Sequence, residues 1–188
     1  FVFSAVITFS VQSKALYANR YRLGSECQRI FLGDVAKALP KLGHKKVIFI
    51  YMTDNHLFIN SKTFSLINRP QFPIKYLYND ESIHTVTIKP HQLPKYLENI
   101  SGNNLLLHGG KVHDRHDRSF DVEDVLFVKY SIDTGIVQFT KSDIASLNVP
   151  FNNTIFTPTV VGSLEYTSRQ KWFIAERNRL INKYLTGR

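Results

Sequence analysis

The chain has 188 residues, 43% apolar and 21% charged, with a net charge of +9. That length buries a core without disulfides or metals, and the ordinary apolar content excludes wholesale disorder. The single cysteine, Cys27, excludes an internal disulfide and a cysteine-built zinc site.

Taken in chain order, Phe1–Val11 (FVFSAVITFSV) reads as a buried first strand. Its short apolar run also has the look of a signal-peptide core, with Ala18 a conceivable cleavage position. No run reaches the roughly 18 apolar residues of a membrane span, so none is expected. Ser25 and Gln28 have capping-box spacing, and Cys27, Ile30, Phe31, Val35, Ala38 and Leu39 follow at helical intervals. These predict a helix over about 25–39, stopped by Pro40 and Gly43.

Val47–Met52 and Leu57–Asn60 read as one hairpin, Ile74–Tyr78 and His84–Lys89 as a second. Pro94–Ile100 is expected to be a short helix, and Leu105–His108 a short strand. Val125–Ile132 and Ile136–Thr140 flank Asp133-Thr134-Gly135 as a third hairpin. Ser142 or Asp143 suits the cap of another short helix. Phe173, Ile174, Leu180, Ile181, Tyr184 and Leu185 form one stripe of a helix over 168–185. The expected fold is α+β, a largely antiparallel sheet of hairpins with two longer helices and short helices between. We read residues 1–188 as a single domain with the final helix packed on it. The expected opening, strand–helix–strand–strand, resembles ferredoxin-like domains in topology, an analogy that carries no function.

The charge is uneven. Residues 1–79 hold eleven Lys/Arg against three Asp/Glu, residues 80–148 seven against ten, and residues 149–188 six against two. Two basic ends flanking an acidic middle point to a polyanion partner. The candidate nucleic-acid contacts are Arg20, Tyr21, Arg22 and Arg29 near the first helix, and Arg169, Lys171, Arg179 and Lys183 on the last. Arginine and lysine neutralise phosphates, and tyrosine stacks on unpaired bases. A solvated basic surface would have the same composition. No RNA-recognition, zinc-finger or GXXG signature names a module, and nothing distinguishes RNA from DNA.

The acidic middle contains His113-Asp114-Arg115-His116-Asp117-Arg118. A pair of imidazoles supplies a general base and a general acid near neutral pH. His113 and His116, with Lys129 or Arg115 stabilising charge, are therefore the candidate catalytic residues of a nuclease or phosphodiesterase. Alternating charges over six residues equally describe a solvated loop. No cofactor is expected, although the same imidazoles and carboxylates would accept a divalent metal. Gly109-Gly110-Lys111 lacks Walker spacing, and packing is the expected role of Trp172.

Three function classes follow. The first is a nucleic-acid-binding protein, which we favour because its signal is spread over many residues. The second is a nuclease acting through the 113–117 loop, so enzymatic activity is left open. The third is a structural or adaptor subunit of a larger assembly that meets acidic partners. Cysteine usage suits a reducing, cytoplasmic compartment, with a processed or exported form as the alternative.

Overall fold

The computed structural model describes residues 2–44, 46–52, 71–88, 92, 95, 98–101, 104–107, 118–131, 134–137 and 165–186; in the first helix it describes side chains from Ala18 onward, Arg20 excepted. The chain opens on a long helix, α1 (Val2–Ala38), followed by β1 (Val47–Met52), α2 (Gln71–Tyr78) and β2 (His84–Ile88). Three short strands come next, β3 (Ile100–Ser101), β4 (Asn104–Leu107) and β5 (Arg118–Asp121). A 3-10 turn at Val122–Asp124 leads into β6 (Val125–Ser131), then β7 (Gly135–Val137) and a last helix, α3 (Ser168–Thr186).

The class is α+β, with two long helices and antiparallel pairs. β3-β4-β5 form one antiparallel sheet, and β6 turns back into β7. The centre of the main sheet, ordered β2-β1-β6-β7, is parallel. Val47 lies opposite His84 on one side and Val125 on the other. Such strands are covered on both faces and read as continuous apolar runs. Val125, Leu126, Phe127 and Val128 are accordingly all buried.

Several expected elements take other forms. Residues 2–11 are helical, not a strand, because α1 runs unbroken through them. The helix expected at 25–39 is the C-terminal part of that element. The ferredoxin-like analogy falls with its opening strand. Ser25 lies within α1, its carbonyl accepting from Arg29 Nε at 3.3 Å, so the expected capping box is not a cap. Ile74–Tyr78 is helix, not the first arm of a hairpin: Ile74 and Leu77, three apart, are both buried. β1 spends both edges on β2 and β6, which leaves none for a hairpin partner at 57–60, residues outside the described ones. Lys95 and Glu98 are helical, and Ile100 already begins β3. The short helix expected after Ser142 lies outside the described residues.

The core forms where α1 and α2 cover one face of the sheet. Phe31, Leu32, Val35, Ala36 and Leu39 of α1 pack with Ile48, Ile50, Leu126, Val128 and Tyr130, and α2 adds Ile74 and Leu77. The Phe31 and Tyr130 rings meet edge to face, centroids 5.0 Å apart. The end of α1 is satisfied by side chains from two other helices. Tyr78 donates to the Leu39 carbonyl at 2.5 Å, and Gln170 Nε2 donates to the Pro40 carbonyl at 2.9 Å. Asn79, at φ 54, provides the left-handed residue that closes α2.

α3 starts on a reciprocal cap. The Gln170 backbone N–H donates to Thr167 Oγ1 at 3.2 Å, and the Thr167 N–H donates to Gln170 Oε1 at 2.8 Å. α3 then lies along α1, burying Phe173 and Leu180. Gly33 makes the close approach possible: a Cβ there would stand 2.6 Å from the Phe173 carbonyl oxygen.

Candidate nucleic-acid interface

The α1–α3 seam is where the basic ends of the chain meet. Three carboxylates organise it. Glu26 is buried and takes Arg22 Nη1 at 3.1 Å from its own helix and Lys183 Nζ at 2.9 Å from α3. The Tyr184 hydroxyl donates to its other oxygen. Burial by itself pushes the Glu26 carboxyl up. The Tyr184 and Lys183 hydrogen bonds and the charges of Lys183 and Arg22 outweigh that and hold it at about 2. Burial first, and then the same contact, push the Tyr184 phenol up to about 12. Cys27, beside it, is raised by burial and by the Glu26 charge, which makes it a poor nucleophile.

Glu176 of α3 is the second organiser. It accepts Arg29 Nη1 at 2.6 Å and, in a two-point pair, Arg179 Nε at 2.8 Å and Nη2 at 2.7 Å. The Arg179 hydrogen bond lowers the Glu176 carboxyl despite some burial. The third is Asp34, one turn from the end of α1. Arg177 Nε donates to its Oδ1 at 2.7 Å, while Oδ2 has no hydrogen-bond partner among the described residues. Burial dominates, and Asp34 is raised. Its carboxylate also lies against Gly135, where a Cβ would come within 3.2 Å.

Five cations thus share three carboxylates along one seam. Arg22 and Arg179 keep about half of their side-chain surface in water. Arg22, Arg29, Arg179 and Lys183 are brought together here, each in an ion pair. Tyr21 is 74% exposed, and Lys171 is exposed on α3. Arg169 lies over the Tyr76 ring, its guanidinium 4.0 Å from the centroid, and donates to the Tyr76 carbonyl. Arg20 is in α1 with its side chain outside the described residues. Glu26, Asp34 and Glu176 were not singled out, although Arg22/Glu26 at i,i+4 and Glu176/Arg179 at i,i+3 are visible in the sequence.

Beside this seam runs a groove of about 530 Å3 between α1, α2 and α3, with Arg29, Tyr76, Trp172 and Phe173 among its walls. Trp172 is not packed away as expected. It is 54% exposed, edge-on to Phe173 at 4.8 Å between centroids.

The proposed catalytic loop, with His113 and His116, lies outside the described residues, as do His56, His108 and Gly109-Gly110-Lys111. Lys129 is half-buried on β6, opposite Tyr51 of β1 and Val137 of β7. His84 opens β2 at the other end of the sheet, level with Val125, and its ring nitrogen is 2.9 Å from Arg118 Nη1. Four register steps separate His84 from Lys129, roughly 13 Å along the strands, so the two do not share a site. Asp121 caps the 3-10 turn by accepting the Glu123 N–H at 3.0 Å. No three potential metal ligands cluster among the described residues, and none of their helices is long and apolar enough to cross a membrane. Compared with family models, curated proteins and solved structures, the chain matches none.

Proposed function

We propose that this chain binds nucleic acid through the helical side of the fold, centred on the α1–α3 seam. One observation carries the reading. Arg29, Arg177 and Lys183 reach carboxylates 143 to 157 positions away in sequence, and with Arg22 and Arg179 they make five cations on three carboxylates at the seam. A carboxylate shared by two cations neutralises one of them. The surplus on Arg22 and Arg179 faces water, and Lys171 extends it along α3. A phosphate backbone answers such a surface by releasing its condensed counterions. The carboxylates hold the cations in fixed positions, which lowers the ordering cost when phosphate arrives.

The test is fluorescence anisotropy with short single-stranded RNA and DNA oligomers between about 50 and 200 mM salt. Affinity should fall linearly in log salt. The triple variant Lys171→Gln/Arg179→Gln/Lys183→Gln should reduce the magnitude of that slope by about two to three. Absence of binding at the lowest salt, or an unchanged slope in the variant, refutes the proposal.

A further inference from the structure

We infer that the groove between α1, α2 and α3 takes up unpaired bases of a single strand, an inference that rests on the nucleic-acid reading above. The groove has the two components that such recognition needs. Its aromatic component is Tyr76 and Trp172, 58% and 54% exposed, around Phe173, which is buried. Half-exposed rings beside a depression offer π-faces to which any base can stack. Its cationic component is Arg29 on the wall, with Arg169 next to it on the Tyr76 ring. Arg29 lines the groove and is fixed by Glu176, while the Arg169 guanidinium stands over the Tyr76 ring, 4.0 Å from its centroid, and adds positive charge beside it.

Charge complementarity selects the occupant. An apolar peptide would cover Arg29, which shares the single Glu176 carboxylate with Arg179, and would bring no anion for the remaining positive charge. A nucleotide satisfies both components at once, its base against the rings and its phosphate against the guanidinium groups. The amide of Gln28, also on the wall, can both donate to and accept from a base edge. The volume, about 530 Å3, suits a small ligand, and the open sides let a strand enter and leave. The seam supplies phosphate contacts, and the groove makes the surface prefer single strands over duplex.

Trp172 is the chain's only tryptophan, so its emission reports on this groove alone. The experiment titrates the whole chain with short oligo(dT) and oligo(U), a duplex and heparin, following tryptophan emission and anisotropy together. Single strands should quench the emission, whereas duplex and heparin should bind without quenching. Trp172→Ala should weaken single-strand binding roughly tenfold, and Trp172→Phe, which keeps a ring, should restore most of it. Binding by anisotropy without quenching, equal quenching by heparin, or wild-type affinity in Trp172→Ala overturns the groove and leaves the basic seam standing. Absence of binding to every oligomer removes both.

Discussion

Glu26 and Asp34 lie roughly two turns apart on α1, and both are buried where α3 crosses it. Their carboxyls nevertheless shift in opposite directions. Glu26 is held at about 2 and Asp34 is raised. Burial raises both carboxyls, more strongly at Asp34, and the partners that oppose it are more numerous at Glu26. Glu26 has Lys183, Arg22 and the Tyr184 hydroxyl around it, whereas Asp34 has Arg177, the charge of Lys37, and one oxygen with no hydrogen-bond partner among the described residues. The lesson is local: a buried carboxylate stabilises this seam in proportion to the donors that converge on it. The Glu26 end is an electrostatic clamp, and the Asp34 end is a steric fit that tolerates a poorly satisfied charge.

Gly33→Val breaks the comparison at its root by pushing α3 away from α1 near Asp34. A Cβ already meets the Phe173 carbonyl at 2.6 Å, and backbone cannot swing aside. We expect a loss of about 3 kcal/mol in urea unfolding. A near-neutral result would mean the helices are not so close. Gly135→Ala attacks the Asp34 end from the sheet. At φ +70, with the Asp34 carboxylate 3.2 Å from the new Cβ, it should cost about 2 kcal/mol.

Much of this was legible in the sequence, and the misses have physical causes. The β6–β7 turn was readable because Asp133-Thr134-Gly135 supplies its own chemistry, with Gly135 at positive φ. α3 was readable because its apolar stripe is long. Ile74–Tyr78 was misread because five residues satisfy a period of 2 and of 3.6 together. The parallel pairing of β1 with β2 and β6 was invisible, since such a register is set by covering helices and not by a local turn. Arg22, Arg29, Arg179 and Lys183 were among the candidate contacts named from the sequence, and the fold brings them to one seam. The two carboxylates that each gather a pair of them were not named, because sharing is a property of the fold.

The remaining substitutions sharpen the contrast between the two acids. Glu26→Gln should cost about 1.5 kcal/mol at neutral pH, with three donors left facing a weaker acceptor. Because folding depresses this carboxyl from 4.5 to about 2, its contribution is full above pH 4.5 and is lost as pH falls toward 2. Wild type and variant should therefore converge in acid, and a gap that persists at pH 2 assigns the loss to packing. Asp34→Asn should be the mildest, within about 1 kcal/mol. Folding raises this carboxyl, so its charged form opposes stability once ionised, and the amide oxygen still accepts from Arg177. A larger penalty than for Glu26→Gln would reverse the ranking of the two ends.

The most direct measurement is photocrosslinking of a 4-thiouridine oligomer to the intact chain, with adducts mapped by mass spectrometry. Binding across the helical side predicts adducts in 71–78 and 168–186, centred on Tyr76 and Trp172. Adducts confined to the β3-β4-β5 sheet, with none on α1, α2 or α3, would contradict it.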